Sequence, residues 1–370
     1  MDRPPRTRWP SGLLGTLAII AAVEASLAAS PLRFADTASL NWRLAADDVD
    51  REAARTEIAC LGDSLTKIGV VPEVIRAGTG KRTYNFAMAR APAQATYFLL
   101  RRLIEAGGRP SAVVVDFMPS IQAGRPRLGL RHFQEIATAR EAWELARDDG
   151  SFQFLAPFLL GRLLPSIRYR LEIRESVLSA LGGEVAPTIR TNRLALRNWS
   201  INLGNHLNPP TPFSGAVPDH LTRNLGVEKW RCHRINELYI DRLFDLARSR
   251  SIAVYWIIPP LSPPLQSHRD RAGAEGEYTG FVRSMQARHP EIRVVDGRRA
   301  GYASSAFADS THLNGRGSMA FSHELAAILK DPEGRPGWID LPPYRDWPVD
   351  VPAEDIDQSR VAVESGPARR

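Results

Sequence analysis

Cysteine is nearly absent: the 370 residues include two, Cys60 and Cys232. Two thiols cannot build a disulfide framework or a cysteine-rich zinc site, although a single bridge between them stays open if the chain is exported. Lysine is almost as scarce, occurring only as Lys67, Lys81, Lys229 and Lys330. The formal charge of +7 is therefore an arginine charge, spread along the chain rather than gathered on one face. No dense basic run with interleaved aromatics is present, which argues against nucleic acid as a partner. A complete phosphate loop is missing too. Gly78-Thr79-Gly80-Lys81 is followed by Arg82 where Ser or Thr is needed, and reads as a helix-to-strand turn. His206, His220 and His233 stand at no metal-ligand spacing, so no metal or other cofactor is expected. No internal repeat is evident.

What is there suits a folded protein. Hydrophobic residues make up 44% and charged residues 24%, enough apolar material for a sizeable core. At the N-terminus, Arg3, Arg6 and Arg8 precede an apolar stretch from Gly12 to Val23, then Glu24 and small residues through Ser30. This is the layout of a secretory signal, and counted through to Leu32 it also serves as a single-pass anchor. Either way the remainder is expected outside the cytoplasm, in the periplasm or tethered to the inner membrane, with the basic flank left behind.

Beyond it, apolar runs alternate with helical spacing. Thr56–Leu61, Thr83–Met88 and Ser111–Asp116 read as strands, with helices at Val70–Ala77 and Ala93–Ala106 between them. The rhythm resumes with a helix over Val227–Arg250, strands at Ile252–Ile258 and Ile292–Asp296, and helices at Gly280–Arg288 and Gly317–Leu329. Such alternation predicts an α/β fold, a flavodoxin-like three-layer sandwich with a parallel sheet. The expected organisation is a signal or anchor (1–32), a first part of the α/β domain (33–127) and a largely helical insertion (128–226). A second part of the domain (227–331) and a Pro-rich tail (332–370), extended or disordered, complete it.

In an open parallel sheet, ligands bind at the carboxyl ends of the strands. Gly62-Asp63-Ser64 follows the first strand and Asp309-Ser310-Thr311-His312 precedes the last helix, so both fall at that edge. Ser, His and Asp are the parts of nucleophilic acyl transfer. The imidazole takes the serine proton, and the carboxylate fixes the imidazole tautomer and stabilises its cation.

Leu61-Gly62-Asp63-Ser64-Leu65 and the Asp-x-x-His-Leu-Asn-x-x-Gly block from Asp309 to Gly317 resemble the first and last blocks of the SGNH/GDSL hydrolases. The branch they look like contains exported polysaccharide O-acetyltransferases and their esterase relatives. The likeness covers about residues 55–120 and 228–330. It implies Ser64 as nucleophile, His312 as base and Asp309 as its orienting partner, acting without a cofactor on a small-molecule or polysaccharide acyl ester. Hydrolysis is the expected reaction; acetyl transfer to a sugar, or binding without catalysis, are the alternatives. The middle blocks depart from the pattern. Ala89 or Arg90 falls where a glycine is expected, and Asp116-Phe117-Met118-Pro119 lacks the expected asparagine. The oxyanion donors then come from a backbone amide near Arg90 or from the Asn85 side chain, which could equally satisfy buried backbone.

Overall fold

A computed structural model of the protein describes residues 11–29, 34–125, 130–219, 221, 230–331, 337–347 and 351–365. Six strands form one sheet: β1 (Ile58–Leu61), β2 (Thr83–Asn85), β3 (Ala112–Val115), β4 (Ala253–Ile258), β5 (Arg293–Asp296) and β6 (Gly337–Asp340). Every pairing is parallel and the order is β2-β1-β3-β4-β5-β6. β1 and β3 are buried along their whole length, which is why they read as continuous apolar runs rather than alternating ones.

Successive side chains of a strand face opposite layers. Ala59, Leu61, Val113 and Val115 join one core cluster with Leu99, Leu103, Tyr239 and Leu243, from the helices Ala93–Glu105 and Arg234–Ser249. Ile58, Cys60 and Val114 join the other, with Ile75, Phe321 and Leu325 from the helices Pro72–Thr79 and Gly315–Leu329. The molecule is thus an α/β three-layer sandwich. Cys60 and Cys232 are free thiols, and burial pushes both well above the ordinary range.

From β1 the chain moves outward to β2 and then crosses back to β3 on the other side. Where the direction of winding reverses, the loops diverge and leave a crevice at the carboxyl ends of β1 and β3. The Gly-Asp-Ser loop emerges there.

Two regions differ from the expectation. The tail is not wholly extended. Gly337–Asp340 adds a sixth, edge strand, and the helix Ile356–Ser365 packs on the helix Pro187–Ile201. An edge strand needs few apolar residues, so the proline-rich context hid it. The second difference is the helix Thr37–Glu52, capped by Asp36, whose side chain accepts from the N–H groups of Ala38 and Ser39. Between β3 and β4 the described chain is helical, from Leu130–Ile136 to Pro187–Ile201. The start of the helix expected from Val227 lies outside the described residues. Its described part is Arg234–Ser249. Gly12–Ala29, near the N-terminus, is the candidate span among the described helices: long and apolar enough to cross a membrane, with most of its residues exposed and Leu27 buried.

Candidate active site

Ser64 opens the short helix Ser64–Gly69, with Asp63 as its N-cap accepting from Leu65 N–H at 2.8 Å. This places the hydroxyl at a helix N-terminus directly after β1. Gly62 makes the turn possible. Its φ is +123°, and a Cβ there would lie 2.1 Å from Asp116 Oδ1. The same oxygen accepts from Asp63 N–H at 3.0 Å and from the Thr66 hydroxyl. The Ser64 loop is thereby fastened to the end of β3. Asp63 is fully buried, and burial together with the neighbouring Asp116 carboxylate pushes its pKa well above the usual carboxylate range. Its carboxyl also accepts from Met118 N–H at 3.0 Å.

The last loop carries the residue expected to act as base. Asp309 Oδ1 accepts from the N–H groups of Thr311 (2.7 Å) and His312 (2.9 Å), folding Asp309–His312 into one tight turn. Its other oxygen lies 2.8 Å from His312 Nδ1, and His312 Nε2 lies 2.9 Å from Ser64 Oγ. Burial acts to raise the Asp309 pKa, but the bond and charge of His312 and the two N–H donors outweigh it. The carboxyl is held far below its usual range. It therefore stays ionised and keeps Nδ1 protonated, leaving Nε2 free to accept the serine proton. The site is open: the Asp309 side chain is 54% exposed and that of His312 23%.

All three residues expected to act together are thus within hydrogen-bond reach. The oxyanion side is organised differently from the pattern. Asn85 is buried, and its amide donates to the Thr66 and Val70 carbonyls at 3.0 and 2.9 Å while its oxygen accepts from Ala87 N–H. It is a brace for the nucleophile helix rather than a free donor, which settles its two sequence readings in favour of backbone support. Arg90 is exposed and has φ +61°, the backbone conformation that favours glycine. Its loop is laid along the nucleophile loop by Phe86 N–H to the Cys60 carbonyl (2.8 Å) and Met88 N–H to the Gly62 carbonyl (3.0 Å). Ser64, first in its helix, has no intrahelical acceptor for its N–H.

A third wall comes from the polar stretch Asn202–Asn208. Asn205 Nδ2 donates to the carbonyls of Lys67, Ile68 and Val70 at 2.7–3.1 Å. Asn208 Nδ2 donates to the Leu313 carbonyl at 3.1 Å. This stretch consequently ties the serine loop to the histidine loop. Gly204 (φ +87°) allows it, since a Cβ there would meet the Asn85 carbonyl at 1.9 Å. The tail backs it from behind: Asn198 and Asn202 both donate to the Glu354 carbonyl at 2.7 Å.

Two residues here carry chemistry that sequence reading left aside. Lys67 is buried, its Nζ 3.2 Å from the Gly204 carbonyl and 3.8 Å from the centre of the Trp199 ring. Burial holds it well below the usual lysine range, against the pull of Asp48. His206 is pushed down to about 4, by burial first and then by the charges of Lys67 and His312. A visible signal was the Asn-His-Leu-Asn cluster at 205–208, set in an otherwise Arg- and Leu-rich region.

Cavities fall on two sides. A small one of about 20 Å³ runs beside the nucleophile loop, with Leu65, Met118, Pro259 and Leu261 among its walls. A larger one, about 810 Å³, lies among the helices after β3, and no triad residue lines it. Among the described residues, no group of three or more His, Cys, Asp or Glu side chains could hold a metal ion. No protein-family model matches this chain, and no curated protein matches it.

Proposed function

We propose that this protein is a serine esterase of the SGNH/GDSL kind, hydrolysing short acyl esters of carbohydrates or small molecules through an acyl-enzyme. The observation that carries the reading is the continuous chain Ser64 Oγ–His312 Nε2–Asp309, with links of 2.9 and 2.8 Å. Ser64 Oγ attacks the ester carbonyl carbon as its proton passes to His312 Nε2. Asp309 stabilises the resulting imidazolium through Nδ1–H. The carbonyl oxygen takes up the negative charge beside the Ser64 N–H and the helix N-terminus, where a preorganised donor is worth roughly 3–4 kcal/mol. Collapse breaks the C–O bond, and His312 returns its proton to the departing alcohol. Water then attacks the acyl-serine with His312 again as base, restoring Ser64.

The solvent exposure of Asp309 and His312 favours water as acceptor and leaves room for a bulky glycan. A sugar hydroxyl in place of water would make the same site an O-acetyltransferase. The apolar helix Gly12–Ala29, flanked by Arg3, Arg6 and Arg8, supports export with the helix retained as an anchor.

A non-catalytic reading has one observation in its favour: Asn85 and the Met118 N–H, both near the expected donor positions, are committed to other partners. Fluorophosphonate labelling and acetate release from aryl and sugar acetates decide between the two. Wild type is expected to label and to release acetate, and Ser64→Ala to do neither. Wild type that neither labels nor turns over any of these acetates replaces the esterase reading with the non-catalytic one.

A further inference from the structure

We propose that the helices between Leu155 and Leu181 form an in-plane membrane-docking surface, seated in the lipid interface beside the N-terminal helix. The inference rests on the anchored reading above. Three consecutive helices build the surface: Leu155–Leu163, Pro165–Arg168 and Arg170–Leu181. They leave large apolar side chains in solvent, with Leu163 74% and Leu181 80% exposed, and Ile167, Leu171, Val177 and Leu178 also uncovered. Leu171, Leu178 and Leu181 fall at i, i+7 and i+10, one stripe of a helix. Contiguous apolar surface of this kind marks an interaction site.

Its position relative to the anchor says what covers it. Glu24 of the helix Ser11–Ala29 accepts from Ser166 N–H at 3.0 Å and from the Ser166 hydroxyl. The anchor helix has 19 residues and is about 28 Å long at 1.5 Å per residue. That is the thickness of the hydrocarbon core, about 30 Å, so its whole length is needed to cross. Glu24 lies five residues before Ala29, about 7 Å beneath the outer end. Ser166 is therefore held at the depth of about 5–10 Å where in-plane amphipathic helices bury their apolar face. The hydrogen bonds from Ser166 also satisfy a carboxylate that would otherwise be costly at that depth.

Charge agrees with a lipid occupant. Arg170, Arg174, Arg190 and Arg193 are exposed around the face. Two of the nearby acids are already engaged, Glu172 by Arg131 and Glu175 by the Thr188 hydroxyl, and Glu184 is exposed at the edge beyond Leu181. An apolar face rimmed by exposed arginine suits a bilayer with anionic headgroups.

The test uses the full chain in vesicles of phosphatidylethanolamine and phosphatidylglycerol. Cys232→Ser removes the accessible thiol, and buried Cys60 stays unlabelled. Single cysteines carrying an environment-sensitive fluorophore are placed by Leu163→Cys and Leu178→Cys. Leu17→Cys reports on the anchor and Glu277→Cys on an exposed position of the helix Ala274–Arg288. The expected result is blue-shifted emission at 163 and 178, most of it quenched by nitroxides on the upper acyl carbons, with 17 quenched and 277 unaffected. If 163 and 178 behave like 277 while 17 is quenched, the docking surface is wrong and the anchor stands. If 17 also reads as water-exposed, the anchored reading fails and the docking surface with it. A blue shift at 163 without nitroxide quenching assigns the face to a protein partner or a second copy, and overturns the lipid assignment.

Discussion

Acidification should loosen the active-site wall through His206. Its pKa falls from the ordinary 6.5 to about 4 in the native chain, because burial and the charges of Lys67 and His312 disfavour the imidazolium. The unfolded chain takes up that proton near 6.5. Between the two values the unfolded state binds more protons, so stability rises with pH across this window. The contribution is fully in place above 6.5 and is lost as pH falls toward about 4. A fall of about 2.5 in pKa, at about 1.36 kcal/mol each, sets a ceiling of about 3 kcal/mol. His206 is partly accessible to solvent, which brings the expected value below that ceiling. His206→Asn removes the titration. Denaturant unfolding of wild type and variant, run between about pH 4 and pH 7.5, should show the difference in stability moving in favour of wild type as pH rises, by about 1–3 kcal/mol. A difference that stays constant over that range refutes a buried, neutral imidazole at this position.

Other perturbations read different parts of the site. Asp309→Asn should leave the fold intact and lower kcat by on the order of 10⁴, since the amide favours the wrong imidazole tautomer; a loss of tenfold or less in acetate release would show that Asp309 is not the orienting group. Gly204→Ala should destabilise the chain by more than about 3 kcal/mol, combining a left-handed backbone with a Cβ pressed on the Asn85 carbonyl. A thermal melt unchanged from wild type would contradict that close approach. Arg90→Gly relieves a positive φ and should stabilise by up to about 1 kcal/mol. If only the Arg90 backbone serves the oxyanion, kcat on a neutral aryl acetate should be unchanged, and a large drop would assign a role to the guanidinium.

The meeting of Ser64, His312 and Asp309 was legible because each sits in a short, chemically distinctive block at a strand end, and parallel sheets deliver strand ends to one edge. Ser64 and His312 are 248 positions apart in the chain and still meet at that edge. The strands were legible for a related reason: β1 and β3 are buried on both faces, so they contain few polar residues. What stayed hidden depends on partners far away in sequence. Nothing local tells whether the Asn85 amide faces a substrate or the carbonyls of Thr66 and Val70. Lys67 looks like an ordinary helix lysine until Trp199 and Gly204 close over it. β6 was missed because an edge strand of four residues needs little apolar content, and the prolines around it read as disorder.

The link from Asn205 and Asn208 to the Ser64 and His312 loops bears on the order of events in folding. The two loops meet directly at the Ser64–His312 bond, and the Ser322 hydroxyl bridges their helices through Gly69 and Val71. A further shared fastening comes from a segment between β3 and β4, itself held by residues near 354 at the far end of the chain. Four of the five strand pairings join nearer neighbours and can form while that segment is still undocked; β3–β4 closes around it. Recovery of activity after dilution from denaturant should therefore trail recovery of secondary structure, and keep pace with the burial of Trp199, whose ring closes over Lys67.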